Sequence, residues 1–340
     1  PMQAFLTSAV LVAAAGIGDK TQLLSFVLAA RLCRPYPIIT ESGILVISRE
    51  ASMKRLITVL SLTAFLPFAP AFAASETELL LNQAIAGNHR EAKNKARDVY
   101  RHPKETLLFF GLEANMTVVE IWPGGGWYTE ILAPVLRDQG KLYAASLALQ
   151  SKSTPDIRRE IGQEYLEKLA LHPEIYDRIT LTELQAPEYT AIAPPGSADL
   201  VLTFRNVHNW AKDGNADATF KAFYDALKPG GILGVTDHRA KPGTSLQDMI
   251  RSGYVTEDYV IKLAQRAGFR LVAKSEINAN PKDTKDHPKG VWTLPPTMRL
   301  GDQDREKYLA IGESDRMTLK FAKPKVIRKK PVFKKTRFSS

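Results

Sequence analysis

The sequence predicts an α/β domain whose mostly parallel sheet is covered by helices on both faces. Three observations predict it. An apolar strand at 117–121 runs through Trp122 into the turn Pro123-Gly124-Gly125-Gly126 and then into a helical pattern. Far downstream, Leu227-Lys228-Pro229-Gly230-Gly231 opens a second apolar strand at 232–236. Between and beyond these pieces, strand and helix candidates alternate, as they do when crossover helices join parallel strands. The glycines let the backbone approach a ligand closely, and the helix that follows offers free N–H groups at its first turn. In this order the pieces describe a chain built around a nucleotide-like small molecule.

The 340 residues read as one domain with extra ends. Net charge is +10, but residues 323–340 hold eight Lys or Arg and no acid, so the remainder carries only +2. The basicity therefore belongs to a tail, and the nearly neutral body gives no reason to expect nucleic acid. Such a tail is expected to be solvated and disordered, or to touch an anionic surface. Cys33 is the only cysteine and precedes the domain, which excludes disulfides within the chain and Cys-type zinc sites or thiol nucleophiles in the domain.

Met53 begins what reads as a secretory signal over 53–74. Lys54-Arg55 supply a positive start, 56–68 an apolar run too short to span a bilayer comfortably, and Ala71-Phe72-Ala73 the small residues of a cleavage site. The domain is thus expected to be exported, to the periplasm, with Ala74 or Ser75 as first mature residue. Ahead of it, Ala15-Gly16-Ile17-Gly18-Asp19-Lys20-Thr21-Gln22 lies in an apolar stretch. Residues 2–39 resemble the first membrane helix of small manganese and calcium exporters, with Gly16 where the metal-binding Glu would stand. Losing that carboxylate removes a hard oxygen ligand. Residues 1–52 therefore read as a transporter fragment, from a fusion or an early start. If translated, residues 4–32 are a candidate membrane anchor.

Within the domain, Ser75-Glu76-Thr77-Glu78 is a capping-box pattern that starts a helix, the first of the N-terminal helices expected over 75–112. Pro103 suits the first position of a helix over 103–110, closed by Gly111. Strands are expected at 116–122, 141–147, 178–184, 198–204, 231–237, 269–277 and 316–321. Helices are expected at 127–137, 156–171, 215–227 and 256–267. The segment 278–314, rich in Asn, Asp, Lys and Pro, is expected to be a surface excursion that helps cover the pocket. Ligands in such sheets sit beyond the carboxyl ends of the strands at the switch point.

Glu120-Ile121-Trp122-Pro123-Gly124-Gly125-Gly126 resembles motif I of class I S-adenosylmethionine-dependent methyltransferases, and Leu227–Gly231 resembles the turn before their fifth strand. Ala198–Leu202 resembles their fourth strand. The loop looks closest to a group of predicted exported bacterial methyltransferases, and the resemblance covers roughly residues 100–322. It implies a Rossmann-like, doubly wound, mostly parallel seven-stranded sheet over 113–322, with S-adenosylmethionine as cofactor and a small-molecule acceptor. Glu120 would help hold the methionine amino end. Trp122, Gly124, Gly125 and Gly126 would form the turn, with Trp122 crowding the position of the first glycine. A dinucleotide fingerprint fits less well, since its third glycine would fall on Thr129.

The family places an acid after the second strand to accept both ribose hydroxyls, yet 139–155 contains neither Asp nor Glu. Ser146 can make one weaker hydrogen bond there. Beyond strand four, Arg205 is a candidate cofactor contact, Asn206 a residue to orient the acceptor, and His208 a general base. Asp237, a further catalytic candidate, and His238, after strand five, form a second polar cluster. Neighbouring strand residues point to opposite faces, so at most one is expected to face the pocket. His208, His238 and nearby acids match no compact metal-ligand spacing. Trp127 and Tyr128 read as packing or pocket wall. The rival reading is an exported binding or accessory protein that keeps the fold without turnover.

Overall fold

A computed structural model describes residues 75–152 and 154–325. The anchor, signal and exporter-like segments, and the tail beyond 325, lie outside the described residues. In chain order the elements are α1 (Glu76–Ala86), α2 (Ala92–Lys95), α3 (Asp98–Arg101), α4 (Pro103–Phe110), β1 (Thr117–Ile121), α5 (Thr129–Leu136) and β2 (Lys141–Ser146). Next come α6 (Asp156–Leu171), α7 (Pro173–Tyr176), β3 (Thr180–Glu183), β4 (Ala198–Phe204), α8 (Val207–Asp213) and α9 (Ala216–Ala226). The chain continues with β5 (Leu227–His238), α10 (Leu246–Ser252), α11 (Glu257–Ala267), β6 (Arg270–Ser275), α12 (Arg305–Ile311) and β7 (Arg316–Ala322).

The strands form one seven-stranded sheet in the order β3-β2-β1-β4-β5-β7-β6. β1 pairs in parallel with β2 and β4, β2 with β3, and β4 with β5, while β7 runs antiparallel to both β5 and β6. This is the Rossmann-like sheet that the motifs imply. Its order reverses between β1 and β4, and the glycine turn leaves β1 there.

Each central strand is apolar on both faces, as a sheet covered twice requires. Val119 and Ile121 of β1 join Val201, Trp210, Phe223 and Leu233 in one core. Val118 joins Leu200, Leu202, Leu107, Phe110 and Ile131 in the other. Glu120 lies on the second face among these apolar groups.

Most boundaries agree with the sequence to within a residue or two. Ser75 closes a full capping box, its Oγ accepting from Glu78 N and its own N–H donating to Glu78 Oε2, both at 3.2 Å. Gly111 ends α4 with φ +85°. Three differences stand out. β5 begins at Leu227, because the Lys-Pro-Gly-Gly turn is absorbed as an irregular strand start where Gly230 (φ +88°) donates to Lys323 O at 2.8 Å. Lys323 is not part of a solvated tail, since its ammonium donates to Tyr224 O at 2.7 Å and Leu227 O at 2.8 Å. The excursion 278–314 carries its own helix, α12, and delivers buried Glu313 and Ser314, followed by buried Asp315, beside the end of β5.

Candidate cofactor and acceptor site

The turn after β1 is open where a ligand would need it open. Gly124 takes φ +58° and Gly126 φ +79°, which glycine adopts without strain. A Cβ at Gly124 or Gly125 would meet nothing within 4 Å, whereas one at Gly126 would lie 3.1 Å from the Tyr165 ring. The first two glycines thus face open space and the third packs against α6. Trp122 also lies in the left-handed region, at φ +46°. Its indole leaves the turn, donating from Nε1 to Leu184 O at 2.9 Å and meeting Trp210 edge-on at 5.3 Å. The crowding expected at this position is resolved by moving the ring toward the loop after β3.

Glu120 ends on a cavity of about 350 Å³ that Trp122, Gly124, Gly125, Arg205 and Asn206 also line. Its carboxylate is 2% exposed and accepts from Thr129 Oγ1 at 2.6 Å. Burial pushes it up to about 7, against the weaker pull of that hydrogen bond. On the neighbouring strand end, Arg205 has φ +62°, so both strands flanking the switch point end in a strained, non-glycine residue on the cavity wall. Asn206 donates from Nδ2 to Ile121 O at 3.1 Å and to Thr203 Oγ1 at 3.3 Å. It stitches the β4 loop to β1 while lining the cavity.

Ser146 lies at the other end of this region. Together with Trp122, Gly124, Asn206 and Arg158 it lines a smaller cavity of about 160 Å³. No acid stands on β2 there. The nearest carboxylate in register is Glu183, opposite Ser146 on β3 and exposed on a shallower groove.

His208 and Asp237 come together away from this cavity. His208 Nδ1 meets Asp237 Oδ1 at 3.0 Å, and Asp237 Oδ2 accepts the His208 backbone N–H at 3.3 Å. The His208 ring is 8% exposed and lies 5.3 Å from His238 and 6.3 Å from Trp292. Strict alternation, which allowed only one of Asp237 and His238 on this side, fails at the strand's last residue. The His238 N–H turns back to Asp237 Oδ1 at 2.7 Å, and its Nδ1 meets Ser314 Oγ at 2.5 Å. Burial and the neighbouring His208 hold His238 neutral, well below the usual imidazole value. One ligand atom from each of the three residues lies within 4.8 Å of the others, a grouping their sequence spacing does not suggest. The Asp237 oxygens already accept three N–H groups, so a metal would have to displace them.

The remaining wall comes from residues the motifs do not touch. Arg97 and Arg101 reach the cavity from α3 and the residue before it, and Lys168 from α6. Trp127 and Tyr128 are indeed wall and packing. Trp127 donates to Asn94 O at 2.9 Å, with the Arg101 guanidinium 4.5 Å from its ring, and Tyr128 stacks on Phe204 at 3.5 Å. The sequence offered one signal for these cations, two arginines four residues apart at 97 and 101.

An open glycine turn at the switch point thus stands beside a buried carboxyl on one cavity. Residues 4–46 match the family model described as divalent cation/proton antiporter GDT1, in agreement with the exporter-like reading of that segment. No curated protein matches the chain. Among solved structures, the chain is similar to a SAM dependent methyltransferase from Aquifex aeolicus, at 14% identity over 74% of this chain and 100% of that one, with a TM-score of 0.44. It is similar to the [4+2]-cyclase SpnF at 14% identity over 73% and 92%, with a TM-score of 0.46. Phosphoethanolamine N-methyltransferase 2 of Haemonchus contortus, in complex with S-adenosyl-L-methionine, shares 17% identity over 75% and 61%, with a TM-score of 0.46. Among the described residues no helix is long and apolar enough to cross a membrane.

Proposed function

We propose that the domain is an S-adenosylmethionine-dependent methyltransferase acting on a small acceptor. The open Gly124–Gly125 backbone beside buried Glu120 supports this reading most directly. When bound, S-adenosylmethionine supplies an electrophilic methyl group. Glu120 holds the cofactor's amino end, and the glycine turn lets the ligand lie against the main chain. Ser146 gives the ribose a single hydroxyl partner. Asn206 fixes the β4 loop, and with it the wall on which the acceptor is placed; methyl transfer depends largely on such positioning. Asp237 accepts the Nδ1–H of His208, which makes Nε2 the basic atom of the pair; since the pair does not line the cavity, His208 serves as proton acceptor in this reading only for an acceptor that reaches beyond the cavity wall.

A second reading, binding without turnover, is favoured by the lack of a carboxylate at the end of β2. Titration of the full chain with S-adenosylmethionine in a calorimeter separates the readings when combined with a methyl-transfer assay. Heat is expected from the natural chain and none from Gly124→Trp, whose side chain fills the cavity and strains a φ of +58°. An absence of heat at millimolar cofactor would end the methyltransferase proposal.

A further inference from the structure

The cavity's two cationic walls are built differently. On one side the lining cations are matched: Lys168 pairs with Glu130 and with Glu91 at 2.9 Å, and Lys93 with Glu91 at 2.6 Å, while Arg90, outside the lining, pairs with Asp98 at 2.7 Å and Glu130 at 3.4 Å. On the other side Arg97 and Arg101 line the cavity and share the single carboxylate of Glu313, at 2.5 Å and 3.6 Å, with Arg316, which is not part of the lining. Arg205 lines the cavity with them and makes no side-chain hydrogen bond among the described residues, and the favourable charges that act on it most are Glu313 and Asp237. Four guanidiniums thus face two carboxylates.

This wall is also short of hydrogen bonds. Arg101 is 4% exposed, yet its Nε and Nη2 have no hydrogen-bond partner, and Arg97 Nη2 and Arg316 Nε are likewise buried and unpaired; in the matched group Arg90 Nε is also unpaired, but Glu130 Oε2, itself unpaired, faces it at 3.4 Å. Burial, and then the nearby Arg205, push Arg101 well below the usual guanidinium value. Burial and Arg316 lower Arg205 to about 10, so it remains charged at neutrality in surroundings that disfavour the charge. Buried guanidiniums left without acceptors are costly, and an oxyanion satisfies their fork geometry.

The cofactor does not supply enough anion. S-adenosylmethionine carries a sulfonium, an ammonium and one carboxylate, so its arrival adds a net positive charge to a cavity already short of negative ones. Glu120 titrates near neutrality and is engaged at the amino end, and Glu164 is exposed at the rim. We propose that Arg97, Arg101 and Arg205 bind a doubly charged oxyanion carried by the acceptor, so that the substrate is a small phosphate- or dicarboxylate-bearing molecule. The identification of this ligand as the acceptor rests on the methyltransferase reading, whereas the anion site stands on the wall itself.

The test is calorimetric titration of the full chain with inorganic phosphate, with and without saturating S-adenosylmethionine. Phosphate is expected to bind, and to bind more tightly once the cationic cofactor is present. Arg101→Met and Arg205→Met should each weaken it about tenfold or more, the loss of a charge-assisted hydrogen bond. Arg101→Met should also raise Tm in phosphate-free buffer, because it removes a buried charge that lacks a full partner. A lower Tm with unchanged phosphate affinity would reduce Arg101 to a structural role and overturn the proposal. Cofactor that displaces phosphate would also overturn it, assigning the wall to the cofactor's own carboxylate. Cofactor binding with no phosphate binding at all has the same consequence. Phosphate binding without cofactor binding would instead uphold the anion site and remove the methyltransferase reading.

Discussion

Glu120 is the residue at which the cofactor reading becomes measurable. Burial holds its carboxyl at about 7, so between the ordinary value of 4.5 and that point the folded domain keeps a proton the free carboxylic acid would release. A cofactor ammonium placed against it favours the ionised form, so binding within this window is expected to expel that proton. Titrations in buffers of different ionisation enthalpy should then report release of about one proton per cofactor, vanishing above the window. Glu120→Gln should abolish the release and weaken cofactor binding. Equal release from the natural chain and the variant would place the proton on another group. The motif located Glu120, but its protonation was not legible, because it depends on apolar neighbours from helices and strands distant in sequence. Trp122 illustrates the same divide. Its position in the turn is plain in the sequence, but the indole's route to Leu184 O follows from a loop that no motif marks.

At the level of elements, legibility followed periodicity. The glycine turn, β1, β4 and the longer helices carry patterns several residues long, and the structure places them within a residue or two of expectation, while β5 ends within a residue of expectation but starts four residues early. α2 and α3 are four residues each, too short for a helical period, and these are the elements that bring Asn94, Arg97 and Arg101 to the cavity. Glu313 was equally hidden, since its pairing with Arg97 spans 216 residues. The His208–Asp237 contact crosses from the first turn of α8 to the end of β5, and alternation misleads there because the strand stops at His238. α1 is legible and testable alone. Ser75→Ala removes the bond that Oγ accepts from the Glu78 N–H and leaves the backbone bond to Glu78 Oε2 in place, and a loss of about 1 kcal/mol is expected from this exposed cap. Chemical denaturation should show it as a lower midpoint with an unchanged slope. A loss several times larger would mean that Ser75 also anchors α1 to the body of the domain.

For the whole molecule, two buried carboxyls impose opposite slopes on stability against pH. Burial opposes the charge of Glu313, but Arg316, Arg101 and Arg97 outweigh it and hold the carboxyl at about 2. Its contribution is complete above 4.5 and is lost as pH falls toward 2, where the folded form must also take up a proton. Glu120 acts in the other direction. Its value of about 7 means that the unfolded chain gives up its proton first, so stability declines as pH rises from 4.5 to about 7. At about 1.4 kcal/mol per pKa unit, each slope amounts to a few kcal/mol, a large part of a typical domain's stability. The two together place the optimum near the ordinary carboxylate value rather than at neutrality. Urea midpoints measured across this range should therefore pass through a maximum on the acid side. Glu120→Gln should flatten the upper limb, because an amide pays no ionisation cost there. Glu313→Gln should lower the whole curve by about 3–5 kcal/mol, since it leaves the guanidiniums without their shared carboxylate, and should flatten the lower limb. A profile that rises steadily to neutrality, with both variants running parallel to the natural chain, would mean that neither carboxyl is held as this structure holds it.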